Sequence, residues 1–95
     1  MRGLWFKGKY VDSILSGKKT DTIRTSCSLS PGEMIRLSVG PRPHFAVAKI
    51  LSVEKLALAE LPEARRRSVI ECYPDAISAP ALWRIEFRVE KEAGI

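Results

Sequence analysis

Gly17-Lys18-Lys19-Thr20-Asp21-Thr22-Ile23-Arg24 decides how this chain is read. Ahead of it, Tyr10, Val11, Ile14 and Leu15 recur at helical spacing, and Asp12 sits near the start, where the helix dipole favours negative charge. Gly17 suits the left-handed position that follows a helix, where glycine carries no Cβ penalty. Thr20 to Thr25 predicts a strand with Thr20, Thr22 and Arg24 on one face and Asp21 and Ile23 on the other. Two lysines, two threonines and an arginine are thus gathered at a helix-to-strand junction, where a cleft can form. Cations beside hydroxyls suit an anionic or carbonyl-bearing ligand, and they also set a nucleophile beside a base.

The flanking segments complete the element order. Leu4, Trp5 and Phe6 predict a first strand. Ser30-Pro31-Gly32-Glu33 is turn chemistry, followed by an alternating strand from Met34 to Val39. Gly40-Pro41-Arg42-Pro43 makes a stiff connection into a β-prone run, Phe45 to Val53, in which Phe45, Val47 and Lys49 alternate against Ala46, Ala48 and Ile50. Strands at 33–39 and 44–53 should pair antiparallel through this short loop. A helix from Pro62 to Tyr73 follows, with Glu60 and Glu63 at its positive end, Pro74 as its stop and Leu61, Ala64, Val69, Cys72 and Tyr73 as its buried stripe. From Leu82 to Val89, Trp83, Ile85, Phe87 and Val89 face one way and Arg84, Glu86 and Arg88 the other. The order β-α-β-β-β-α-β has too few helices for a doubly wound sheet. It predicts an α+β domain over residues 1–95: a small, partly closed, mixed β-barrel flanked by two helices.

Charge is unevenly placed along the chain. Residues 1–50 hold nine Lys/Arg and three Asp/Glu, whereas residues 51–95 hold seven and eight. The positive half carries the octapeptide, which favours an anionic partner such as RNA or a nucleotide. Cys27, Cys72 and the sole histidine, His44, lack metal-site spacing, so neither metal nor cofactor is expected, and reduced thiols point to the cytoplasm. Charge interrupts the opening residues too early for a signal peptide, and no apolar run approaches the roughly 20 residues of a membrane span. The chain has neither Asn nor Gln, a lean toward a thermophilic source. A monomer is expected.

Gly17-Lys18-Lys19-x-x-Thr22-x-Arg24, preceded by Phe6-Lys7 and the Ile14-Leu15 helix, closely resembles the signature of ASCH domains, which have a PUA-like barrel. Pro31-Gly32-Glu33-Met34-Ile35-Arg36-Leu37 looks like that family's strand entry, and Tyr73-Pro74 with Trp83-Arg84-Ile85-Glu86-Phe87 is similar to its final helix and strand. The resemblance spans roughly residues 4–91 and implies a barrel pocket for RNA or a modified nucleoside. Within the family, the chain is most similar to the small N4-acetylcytidine amidohydrolases. That branch implies Lys19 as catalytic base and Thr22 as nucleophile. Its third member, a glutamate ahead of the last helix, has no match at the same spacing: aligning Ala64 puts Arg67 there, with Glu63 or Glu60 nearby.

Each candidate has a functional and a structural reading. Lys19 serves as a base only if its pKa falls, and Lys18 and Arg24 supply like charge close in sequence. The structural reading makes Lys18 and Lys19 solvated turn residues. Arg24 and Arg36 match phosphate or base edges, or else form cross-strand ion pairs with Asp21, Glu33 or Glu86. Arg65-Arg66-Arg67 tracks an RNA backbone or is a solvated helix face, since consecutive helical residues cannot share one stripe. Phe6 or Trp5 lines the pocket, Trp83 belongs to the core, His44 to the surface, and both cysteines are structural. The candidate ligand-binding set is therefore Phe6, Lys18, Lys19, Arg24 and Arg36, and the candidate catalytic set is Lys19, Thr22 and Glu63 or Glu60.

Overall fold

The structure, a computed structural model, describes residues 1–78 and 81–92. Its elements are β1 (Gly3–Trp5), α1 (Val11–Leu15), β2 (Asp21–Arg24), β3 (Met34–Ser38), β4 (Ala46–Leu56), α2 (Glu63–Cys72) and β5 (Leu82–Glu92), the expected order. Short 3-10 turns at Gly8–Tyr10, Leu58–Glu60 and Pro74–Ile77 flank the helices. Gly17 ends the α1 segment at φ +84°, with its N–H bonded to the Ile14 carbonyl at 3.2 Å. The same turn continues through the Lys19 N–H to the Ser13 carbonyl, 2.9 Å, which fixes where β2 begins.

The five strands form one sheet in the order β1-β3-β4-β5-β2. β1 runs parallel to β3, and every other pairing is antiparallel, including the expected β3–β4 pair. β4 and β5 are the long central pair, and their register shifts between Val47 and Ala48 and again between Ile50 and Ser52. An extra residue on one strand bends it and adds twist, so two such sites curl the pair. The result is an α+β, five-stranded, curled half-barrel with two helices, a small PUA-like architecture. β1 and β2 are its free edges.

Two apolar cores lie on opposite faces of the sheet. Phe6, Ile14, Ile35, Leu37, Ala46, Ala48, Ile50, Ile85 and Phe87 fill the first. Ala46, Ala48 and Ile50 have no exposed surface, so the alternation of this run reports its inner face correctly. The rings of Phe6 and Phe87 meet edge to face, with centroids 5.9 Å apart. Ile23, Leu56, Leu61, Val69, Ala76 and Leu82 form the second core, under α2. β2 serves both: Thr22 pairs with Ile85, while Ile23 turns to Val69 and its neighbours.

Three expectations need correction. Ala64 is exposed, because the face of α2 that meets the second core is the one carrying Val69, with Leu61 buried just ahead of the helix. Trp83 is half-buried opposite Arg24 and lies outside both cores. Leu82 is buried instead, because the start of β5 belongs to the second core and a one-sided pattern overlooks it. His44 is half-buried rather than a surface residue.

Because Phe87 is fully enclosed and braces Phe6, Phe87→Ala should cost about 3–5 kcal/mol of unfolding free energy in urea titrations. Ala64→Ser, on the exposed flank of α2, should change stability by less than about 0.5 kcal/mol.

Candidate functional site

A cleft of about 430 Å³ runs along the free edge of β2. Thr22, Ile23 and Arg24 all line it, although they are consecutive and alternate in face. An edge strand permits this, because its open side is reached from both faces. The Thr20 carbonyl accepts from the Phe87 N–H at 2.9 Å, so residues of that parity turn their backbone groups toward β5. The backbone N–H and C=O of Ile23 then point outward, leaving one unpaired donor and one acceptor at the edge.

The end of β1 supplies Trp5, Phe6 and Lys7 to the cleft; the 3-10 turn before α1 supplies Tyr10. The opposite wall comes from α2 and its end: Arg65, Ser68, Val69, Cys72 and Tyr73. Phe6 is buried at 7% exposure, while the Trp5 ring is 60% exposed, so the two aromatics divide between core and opening. Both line the cleft.

Arg24 joins these walls. Its Nη1 donates to the Tyr73 hydroxyl at 2.7 Å and its Nη2 to the Trp5 carbonyl at 2.7 Å. The guanidinium carbon lies 4.9 Å from the Phe6 ring centroid and 5.9 Å from that of Tyr73. Arg24 is thus not ion-paired to Asp21, Glu33 or Glu86. Asp21 takes other partners: Arg65 at 2.6 Å and Arg84 at 2.7 Å. Burial pushes the Asp21 carboxyl upward, but hydrogen bonds and charge from the two arginines outweigh it and hold the group below the usual carboxylate range.

Lys19 is half-buried at the head of β2, its Nζ 4.9 Å from the Tyr10 ring centroid. Burial lowers its pKa, reinforced by the positive charge of Arg65 and then of Arg24, with Asp21 opposing. Lys18 plays no part in this shift: it is exposed in the turn and does not line the cleft. Thr22 is 6% exposed, and its hydroxyl has no hydrogen-bond partner among the described residues, yet it is not sealed from the cleft.

The remaining candidates lie elsewhere. Glu63 is exposed and ion-paired with Arg67 at 2.6 Å. Glu60 is exposed and accepts from the Ala57 N–H at 3.1 Å, closing the turn before α2. Neither lines the cleft, and among the described residues no carboxylate does. Arg36 is exposed on β3, away from the site. Arg65, by contrast, turns inward, so the arginine run is neither a single stripe nor wholly solvated. Cys72, expected only to be structural, is a lining residue. Both cysteines are free, and no group of three or more His, Cys, Asp or Glu among the described residues is placed to hold a metal. Among the described residues, no helix is long and apolar enough to cross a membrane.

Among solved structures, a protein from Enterococcus faecalis V583 described under the family model DUF984 is similar at TM-score 0.75 and 15% identity, over 100% of this chain and 84% of that one. A mutant of ZmASCH from Zymomonas mobilis is similar at TM-score 0.67 and 17% identity, over 96% of this chain and 69% of that one. The chain has an ASCH-like fold. At these identities the likeness is one of fold alone. No family model matches the sequence, and no curated protein does. The chemistry of the cleft therefore rests on the side chains of this chain.

Two titrations follow from this geometry. Lys19 should titrate below the usual lysine range in side-chain NMR, and Arg65→Ala should move it upward by removing the positive charge that acts on it most strongly. Asp21 is depressed in the folded state, so its contribution to stability is present above its unfolded value near 3.8 and is lost as pH falls through its folded value. Urea midpoints should therefore drop on acidification below about pH 4, and less steeply in Asp21→Asn.

Proposed function

We propose that the cleft binds RNA or a modified nucleoside, with a base held against its aromatic wall. The observation that carries this is the lining itself. Phe6, Trp5, Tyr10 and Tyr73 stand beside Lys7, Lys19, Arg24 and Arg65, and among the described residues no carboxylate lines the cleft, Asp21 being engaged by Arg65 and Arg84. Aromatic faces stack on bases irrespective of sequence, and guanidinium or ammonium groups meet phosphate or base-edge acceptors. The outward N–H and C=O of Ile23 add a donor–acceptor pair suited to a base edge. The excess positive charge of residues 1–50 supports the same partner.

Affinity for single-stranded RNA should fall as salt rises, because phosphate contacts release counterions. Arg24→Ala should weaken binding by at least roughly tenfold and flatten the salt slope. Binding that ignores both salt and Arg24 counts against the proposal.

A second reading, hydrolysis of N4-acetylcytidine to cytidine and acetate, is favoured by one pair of observations. Thr22 presents an unpaired hydroxyl, and Lys19, three residues earlier and lining the same cleft, has a lowered pKa. In this reading Thr22 Oγ attacks the acetyl carbonyl as Lys19 takes its proton, and Arg24 or the Ile23 N–H stabilises the oxyanion. With no carboxylate in the lining, Lys19 itself returns the proton to the leaving amine. Water then releases acetate from Thr22. Chromatography of N4-acetylcytidine incubated with the protein should show cytidine, and Thr22→Ala and Lys19→Ala should each abolish its formation. Turnover that survives both substitutions overturns these roles.

A further inference from the structure

The cleft does not stop at Arg24. On the other side of that side chain lies a second chamber of about 360 Å³, lined by Gly3, Leu4, Trp5, Arg24, Thr25, Ser26 and Tyr73. Trp5, Arg24 and Tyr73 belong to both chambers, so together they form the partition. The chamber sits where the free edges β1 and β2 approach each other without pairing, at the seam of the half-barrel. Arg24 Nη2 bonded to the Trp5 carbonyl bridges that seam.

The partition keeps unspent binding capacity. A guanidinium has five N–H donors. Arg24 uses one from Nη1 and one from Nη2, and its Nε is buried with no partner among the described residues. Trp5 leaves a large aromatic ring 60% exposed beside the second chamber. Thr25 and Ser26 add hydroxyls, and among the described residues no carboxylate lines this chamber either. A stacking face, hydroxyl donors and a cation shared with the adjoining pocket are the recognition set for a second nucleotide joined to the first through a phosphate.

We propose that the ligand is a nucleic-acid strand of at least two nucleotides rather than a free nucleoside, one base in the main cleft, its linking phosphate at Arg24 and the next nucleotide on Trp5 in the seam chamber. This rests on the main cleft holding a nucleoside unit, and it assigns the ligand class and a second subsite. It gives Thr25 and Ser26 a binding role that the octapeptide motif does not reach.

The test compares cytidine, its 3′- and 5′-monophosphates and the dinucleotide CpC by calorimetry or fluorescence, using the intact protein and Ser26→Glu and Thr25→Glu variants whose circular dichroism confirms folding. CpC should bind roughly tenfold or more tightly than either monophosphate, since each stacked base adds a comparable factor. Ser26→Glu, which sets a negative charge in the seam chamber, should erase that advantage. CpC no tighter than the monophosphates overturns the second subsite while leaving the main cleft intact. An advantage that persists in Ser26→Glu and in Thr25→Glu overturns the assignment of the chamber. Absence of binding by all four compounds overturns the main-cleft reading and this one with it.

Discussion

The guanidinium of Arg24 is the joint on which the site depends. The sheet is open between β1 and β2, and the strand order leaves both edges without a ladder partner. An unpaired edge carries backbone donors and acceptors that must find partners or water. Arg24 meets part of this need with its bond to the Trp5 carbonyl, and ties in the end of α2 through the Tyr73 hydroxyl. Its flat cation lies near the rings of Phe6 and Tyr73, where a charge held close to aromatic faces gains cation–π energy on the order of 1 kcal/mol. Phe6 is in turn braced by Phe87 in the barrel core. One side chain thus connects the core, both free edges and the second helix. Lysine, with a compact ammonium, cannot span these acceptors in one plane.

A second layer of charge sets the tone of the cleft. Asp21, half-buried on the face of β2 away from the barrel core, takes one arginine from α2 and one from β5. That carboxylate orients Arg65 toward the cleft and offsets part of its charge. The rest of that charge falls on Lys19, already disfavoured as an ammonium by burial. The cleft is therefore cationic overall, yet holds one amine nearer neutrality than an exposed lysine. Both proposed uses of the site draw on this: anion binding on the cations, proton transfer on the amine.

How much of this was legible in the sequence depends on whether the feature is local. Gly17 and the Ala46, Ala48 and Ile50 alternation report their own backbone geometry, so the helix stop and the inner face of β4 follow from pattern. The element order follows for the same reason. Arg65, Cys72 and Tyr10 are different. A helical wheel puts Arg65 on the side of Val69 and Cys72, away from Arg66 and Arg67, but the partner that holds it there, Asp21, is distant in sequence and adjacent only once β2 and α2 are packed. Tyr10 stood out only as one of four residues at helical spacing; in the fold it packs against the barrel core and also lines the cleft beside Lys19. The glutamates lie outside the cleft for a related reason. Glu63 and Glu60 satisfy local needs, a helical ion pair and a turn cap, which the folded chain meets before any distant site.

The central claim is that ligand recognition runs along the free edge of β2 and across Arg24. Amide and side-chain NMR shifts recorded while titrating CpC into labelled protein test it directly. The account predicts the largest perturbations at Trp5, Lys19, Thr22, Ile23, Arg24, Ser26 and Tyr73, with little change on the opposite face. Perturbations centred on the groove near Leu51 and Arg88–Glu92, with Arg24 and its neighbours unmoved, would contradict it.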